Sequence, residues 1–171
     1  PHNAEVALVN TTKVLLYLSR VPELRTHLAK QSNLVDALCR VANKETGSVE
    51  SNSNSLSAEA RIARVRIITN LVNQEENKPL LLSHRLSDGT DNIEGGVLDA
   101  LLRVAHTDPN DRAREYAGAA VMDLASAHSN QIPMTKNEQL LGTLVKMIFT
   151  EKVGVFARKK IEAKDRETFA L

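Results

Sequence analysis

Cys39 is the first candidate nucleophile, because the 171-residue sequence contains a single cysteine. A reactive thiolate needs a nearby base or positive charge that lowers the pKa of the thiol. The surrounding segment, NLVDALCRVA, instead places Cys39 among apolar residues at helical spacing. We therefore expect a buried, unreactive thiol. One cysteine also excludes an intramolecular disulfide and a cysteine-rich zinc site.

The histidines and the acidic runs are the candidate metal ligands. The sequence has five histidines, at His2, His27, His84, His106 and His128. No two of them have the i, i+4 spacing of a helical metal site. The acidic segments DGTD (88–91) and TDPND (107–111) lack the ligand spacing of a calcium loop. We expect surface histidines, loop and capping roles for the acidic residues, and no metal.

The sequence also lacks the short motifs of common enzymes. It contains no phosphate-binding GxxxxGK[ST] loop, no dinucleotide-binding GxGxxG and no GxSxG around a nucleophilic serine. We therefore predict that the chain is not an enzyme, takes no cofactor and has no small-molecule substrate.

One ten-residue segment, which we call the first phrase, recurs along the chain and indicates where helices lie. NLVDALCRVA at 33–42 returns as GVLDALLRVA at 96–105 and, less closely, as QLLGTLVKMI at 139–148. The three copies place leucines in the same register, at Leu38, Leu101 and Leu144, and they align Cys39 with Leu102 and Val145. Three aligned copies indicate an internal repeat.

A second phrase alternates with the first, at 11–20, 65–74 and 118–127. Its leucines Leu18, Leu71 and Leu124 lie 53 residues apart, and Val14, Ile67 and Ala120 align in the same way. Apolar residues at i, i+1 and i+4 are typical of one stripe of an amphipathic helix. We expect Leu101 and Leu124 to lie in the core.

Helix ends and loops complete the pattern. The polar segments 43–57 and 84–96 separate the phrases and are predicted to be loop insertions. Asp108 is the predicted N-cap of the last copy of the second phrase, with Pro109 at the first helical position. Gly95 and Gly96 precede the second copy of the first phrase.

The amino-acid sequence of these units resembles that of the armadillo family. Residues 95–131 carry the family's order: glycines, the Leu-rich VLDALLRVA, the acidic turn TDPNDR and the Ala-rich AGAAVMDLAS. From Leu101 to Leu144 the unit spans 43 residues, which is the length of armadillo and HEAT repeats.

The resemblance implies an all-α fold: a right-handed α–α superhelix, or solenoid, of about two and a half to three repeats. Residues 1–171 would form a single domain. Its first helix starts within a repeat and its last unit stops short of the next aligned leucine. We therefore expect a fragment of a longer array.

The resemblance also implies a concave groove, lined by the third helix of each repeat, that holds an extended peptide. In the family's nuclear-import adaptors these helices carry a Trp and, four residues later, an Asn. The Trp positions here are Lys13, Arg66 and Ala119, and the Asn positions are Tyr17, Asn70 and Asp123. Only Asn70 matches and the chain has no Trp, so binding of a basic localisation peptide is disfavoured. The predicted groove residues are Lys13, Tyr17, Arg66, Asn70, Glu115 and Asp123.

The predicted function is a scaffold that binds a protein or peptide partner. The alternatives are a structural or regulatory segment packing within a larger protein and, less favoured, a nucleic-acid-binding array. A net charge of +1 and 3% aromatic residues argue against the last. No apolar run is long enough for a membrane span, and we expect a cytoplasmic or nuclear protein. The serine-rich segment 45–57 is either a disordered insertion or a regulatory site.

Overall fold

The computed structural model of the chain describes residues 2–44, 58–85 and 95–146. Within these ranges the chain forms nine helices and no strand beyond one isolated bridge. The helices are α1 (His2–Arg20), α2 (Pro22–Ala29), α3 (Ser32–Lys44), α4 (Ala58–Val72), α5 (Asn77–Ser83), α6 (Val97–Thr107), α7 (Asp111–Ser126), α8 (His128–Thr135) and α9, which covers 138–146. The predicted all-α class is confirmed.

Several predictions concern residues outside the described ranges. They are the serine-rich segment 45–57, the acidic segment 88–91 and the whole of the chain from 147 onward.

The helices follow one order, in which a long helix is followed by a short one and then by one of intermediate length. The long helices α1, α4 and α7 carry the second phrase, and α3, α6 and α9 carry the first. α1 packs against α4 and α4 against α7, while α3 packs against α6. The short helix α5 contacts both α2 and α8. Among the helices that end before Lys136, those with the same phrase are therefore neighbours in space.

The core lies between the long helices and the α3–α6 layer. Leu101 and Leu124 are both fully buried, as predicted. They join other large buried side chains from both phrases, together with Leu81 of α5: Val35, Ile67, Leu71, Leu81, Val97 and Leu102. Burial of such side chains is the main favourable term in folding.

The start of α7 differs from the prediction. Asn110, not Asp108, is the N-cap, and its side-chain oxygen accepts bonds from the backbone N–H of Arg112 and Ala113 at 3.0 and 3.2 Å. Asp108 is engaged elsewhere, because one carboxylate oxygen accepts from the Asn110 N–H at 2.8 Å and the other lies 3.4 Å from Arg61 Nε. Pro109 therefore precedes the helix.

Two buried asparagines fix the corners that follow α4 and α7. Asn77 Nδ2 donates to the carbonyl of Leu71 at 2.9 Å, and Asn130 Nδ2 donates to the carbonyl of Leu124 at 3.0 Å. Both side chains are buried, and both bonds span six residues. Each amide satisfies a carbonyl near the end of a helix, where intrahelical partners run out.

Gly96 is required by a close approach of two chain segments. It forms an isolated antiparallel bridge with Arg85, so the two ends of the predicted 84–96 insertion meet. A Cβ at Gly96 would collide with the carbonyl oxygen of His84. Only glycine allows the backbones to come this near.

The described residues fall into two compact units, one ending at Lys136 and the other beginning at Asn137. In the second unit, Asn137 Oδ1 accepts from the Leu140 N–H at 2.8 Å and so caps α9. No helix in the described ranges combines the length and the hydropathy needed to cross a bilayer.

Candidate functional site

The predicted groove residues lie on the three long helices, and none of the six is buried. Lys13 and Tyr17 come from α1, Arg66 and Asn70 from α4, and Glu115 and Asp123 from α7. We call the surface formed by these six residues the long-helix surface. Because α4 packs against both α1 and α7, the three sets of side chains follow one another across neighbouring helices.

Lys13 forms an ion pair between α1 and α4. Its Nζ lies 3.0 Å from Glu59 Oε1 on α4, and both side chains are substantially exposed. An exposed ion pair of this kind contributes roughly 0–1 kcal/mol to stability. Lys13 can therefore exchange Glu59 for another carboxylate at little cost.

Asn70 is held by α1. Its Nδ2 donates to Ser19 Oγ at 2.9 Å, and Ser19, which is fully buried, donates in turn to the Leu16 carbonyl at 2.9 Å. This contact uses one of the two amide N–H groups of Asn70. The sequence pattern selected Asn70 as a contact for a bound peptide, whereas in the structure it also joins α4 to α1.

Two arginine–tyrosine pairs lie on the same three helices. The Arg66 guanidinium carbon is 5.2 Å from the ring centroid of Tyr116 on α7, and that of Arg20 is 5.1 Å from the ring of Tyr17. A guanidinium stacked on a ring keeps its N–H donors at the edge, where they can meet an anion. The rings therefore orient both arginines while leaving their donors available.

Tyr116 and Arg20 were not selected by the sequence analysis. The chain contains only two tyrosines, Tyr17 and Tyr116, and both fall on long helices. In a chain with 3% aromatic residues, that coincidence was the signal that could have found them. Which arginine contacts each tyrosine depends on how the helices pack, and the residue spacing does not predict it.

Charge on the long-helix surface is divided between the helices. Its basic side chains come from α1 and α4, at Lys13 and Arg66, and Arg20 stacks on its Tyr17. On α7 the predicted residues Glu115 and Asp123 are acidic. A ligand lying across the three helices would thus meet cations first and carboxylates afterwards.

One polar contact between α3 and the end of α5 is largely shielded from water. His84 Nε2 and Asp36 Oδ1 are 2.6 Å apart, with the side chains 15% and 7% exposed. This contact joins the end of α5 to α3. Its low exposure leaves little room for a ligand to compete.

Cys39 lies close to this pair and is inert. It is a free, fully buried thiol, as predicted. Burial, together with the negative charges of Asp36 and Asp99, raises the pKa of Cys39 to about 12. The thiol therefore stays protonated at neutral pH, where a nucleophile would need the thiolate.

The other candidate ligands do not converge. In the described part of the chain, no three His, Cys, Asp or Glu side chains are grouped so that they could hold a metal ion. Asp108 and Asp111, from the predicted acidic turn, instead pair with Arg61 and Arg114.

Comparison with protein-family models, with curated proteins and with solved structures finds no match in any of the three.

Proposed function

We propose that this chain is a protein-binding scaffold of the armadillo type. In this proposal its helices form a right-handed superhelical array, and the long helices line a concave groove. The groove holds an extended segment of a protein partner along the long-helix surface. The resemblance of residues 95–131 to an armadillo unit and the contacts of α4 with both α1 and α7 support this arrangement.

One observation carries the proposal. Five of the six side chains at equivalent positions of the three long helices are polar and accessible: Lys13, Tyr17, Arg66, Asn70 and Asp123. The sixth is Ala119. Other residues of the same three helices are buried in the core. A surface with repeated, accessible polar positions suits an extended peptide, whose side chains and backbone groups also recur at regular intervals.

The charges define the kind of partner. Arg20 and Arg66, each stacked on a tyrosine, offer guanidinium edges to carboxylates. Glu115 and Asp123 offer carboxylates to lysine or arginine. The proposed ligand is therefore an extended peptide with an acidic segment over α1 and α4 and a basic segment over α7.

Fluorescence anisotropy with synthetic peptides tests this proposal. The probe is a labelled peptide with an acidic half and a basic half, and a neutral Ser/Gly peptide of equal length is the reference. We expect the charged peptide to bind the parent chain. The double variant Arg66→Glu with Asp123→Lys should bind it about tenfold or more weakly, because like charges then face each other.

A matched variant controls for general charge effects. Lys30→Glu with Glu76→Lys makes the same two charge reversals at exposed positions outside the long helices. It should bind like the parent. Equal loss in both variants, or no binding of the charged peptide by the parent, would contradict the proposed surface. Salt-sensitive binding of a labelled single-stranded oligonucleotide instead would favour the nucleic-acid alternative.

A further inference from the structure

Two side-chain contacts join α1 to α4 and mark the ends of a short stretch between the helices. Lys13 Nζ lies 3.0 Å from Glu59 Oε1, and Asn70 Nδ2 donates to Ser19 Oγ at 2.9 Å. At a rise of about 1.5 Å per residue, the two contacts lie roughly 9 Å apart along α1 and roughly 16 Å apart along α4. We call the stretch between them the α1–α4 junction.

Two arginines lie within or beside this junction. On α1, Tyr17 and Arg20 follow Lys13 at i+4 and i+7, so the three residues share one face of the helix. On α4, Arg66 and Asn70 share a face with Glu59 in the same way. The first contact joins the two faces directly, and the second joins Asn70 to the residue before Arg20. The contacts therefore bring Arg20 and Arg66 to the same part of the surface.

Each of these arginines is oriented by a tyrosine and has no acidic partner. The guanidinium carbon lies 5.1 Å from the ring centroid of Tyr17 for Arg20 and 5.2 Å from that of Tyr116 for Arg66. Among the residues that the structure describes, neither guanidinium forms a hydrogen bond or an ion pair. A stacked guanidinium keeps its N–H donors in the plane of a fork that binds two oxygens of one anion. Both arginines are therefore oriented donors without an acceptor.

The charges of the junction suit a dianion. Lys13, Arg20 and Arg66 are three cations, and Glu59 is the carboxylate that pairs with one of them in the described ranges, which leaves two positive charges in excess. Arg25, which donates to the last carbonyls of α1, adds a further cation nearby. A phosphate monoester carries a charge of about −1.5 to −2 at pH 7 and has three strong acceptor oxygens. It therefore matches the junction more fully than the single charge of an aspartate or glutamate.

The acidic residues of α7 favour a peptide as the source of this phosphate. Glu115 and Asp123 lie on the next long helix. A polynucleotide carries a phosphate at every step, so a strand crossing the three helices would bring further phosphates toward these carboxylates. A peptide with one phosphate and a basic segment avoids that repulsion.

We propose that the α1–α4 junction binds a phosphorylated serine or threonine side chain of the partner peptide. Arg20 and Arg66 are the phosphate ligands, and Lys13 contributes a further charge. Tyr17 and Tyr116 are positioning residues, because they hold the two guanidinium groups. The inference rests on the proposed peptide-binding function and specifies the acidic half of the ligand. Binding then depends on the phosphorylation state of the partner.

Fluorescence anisotropy with three versions of one labelled peptide tests this inference on the full 171-residue chain. The peptide has an acidic half and a basic half, and one position of the acidic half carries phosphoserine, aspartate or serine. That position is moved along the acidic half in successive peptides. At the best position, the phosphoserine peptide should bind about tenfold or more tightly than the serine peptide, and more tightly than the aspartate peptide.

Substitution by lysine separates the geometry of the fork from its charge. Arg66→Lys and Arg20→Lys keep the positive charge and lose the paired donors, so each should reduce the preference for phosphoserine over aspartate about threefold or more. Arg103→Lys is the matched control, because Arg103 is a half-buried arginine of α6, outside the long helices. It should keep the preference of the parent.

Tyr116 is tested by two variants that differ in the ring. Tyr116→Leu removes the stacking surface and should lower the phosphoserine preference as Arg66→Lys does. Tyr116→Phe keeps the ring and should behave like the parent. Circular dichroism checks that each variant folds.

The outcomes separate this inference from the scaffold function. Equal binding of the phosphoserine and serine peptides would overturn the inference and leave the scaffold function standing. A phosphoserine preference that persists in the double variant Arg20→Lys with Arg66→Lys would also overturn it, because the phosphate then binds elsewhere. Failure of all three peptides to bind would contradict the inference and the scaffold function together. Equally tight, salt-sensitive binding of a labelled single-stranded oligonucleotide would overturn the choice of a peptide as the ligand.

Discussion

Polar side-chain pairs join α1 to α4 and α3 to the end of α5, but in different surroundings. On the long-helix surface, Lys13 and Glu59 remain 43% and 65% exposed. On the α3 side, Asp36 and His84 form a shorter contact at 7% and 15% exposure. Water and salt weaken the first pair, whereas the second is shielded from both. The comparison indicates that the Asp36–His84 contact is part of the buried fold, whereas the Lys13–Glu59 pair remains exchangeable.

The largest effect should come from deleting a core side chain on the long helices. We expect Leu124→Ala, at a fully buried position, to lower the free energy of unfolding by ~2–5 kcal/mol, because it leaves a cavity. Urea denaturation followed by circular dichroism measures this change. Met122→Ala, on the exposed side of the same helix, is the matched control and should cost about 0.5 kcal/mol or less. Similar losses in both would show that α7 does not divide into a buried and an exposed side.

Breaking the buried pair should come next. We expect His84→Ala to cost ~1–3 kcal/mol, because it removes a hydrogen-bonding partner from a buried carboxylate. Lys13→Ala removes the corresponding partner in the exposed pair and should cost roughly 0–1 kcal/mol. Denaturation in low and high salt separates the two, since only the Lys13 effect should shrink as salt rises. Equal losses would remove the distinction between the two pairs.

Cys39 gives the most specific effect, because it appears only as a change of stability with alkaline pH. Its pKa in the fold, about 12, lies above the ordinary value of 9.0, so between these values the unfolded chain loses a proton that the folded chain keeps. The free energy of unfolding should therefore fall as pH rises above 9.0, by at most about 1.4 kcal/mol per pH unit.

The variant Cys39→Ala isolates this contribution from the lysines and tyrosines that titrate in the same range. Chemical denaturation at several alkaline pH values should give a shallower decline for the variant than for the parent. Parallel declines would mean that the thiol does not titrate differently in the two states.

The sequence was sufficient to predict features that depend on one helix at a time. Apolar register located the long helices and the burial of Leu101 and Leu124. The alignment of Cys39 with Leu102 indicated its apolar surroundings. Such inferences succeed because a side chain's direction on a helix follows from its position in the turn.

Features that depend on distant partners could not be predicted in this way. Asp108 lost its expected capping role because it pairs with Arg61, 47 residues earlier in the chain. Tyr116 meets Arg66 only because α4 and α7 are neighbours. The seven residues of α5 are too few to display a helical period at all. Val14 is 56% exposed although it aligns with buried Ile67, and it shows the same limit, since a register predicts which face is apolar but not whether another helix covers it.

The turns, or corners, that follow the long helices differ in stability, and this affects where local unfolding begins. The second and third corners are held by Asn77 and Asn130, whose bonds to the helix ends are shielded from water. At the first corner the position equivalent to Asn77 is Leu24, and Arg25 instead reaches back to the carbonyls of Ser19 and Arg20 from a more exposed site. Water competes with Arg25 more readily than with a buried amide. Amide hydrogens around α2 should therefore exchange with solvent earlier than those around α5 and α8, which gives local unfolding a direction along the chain.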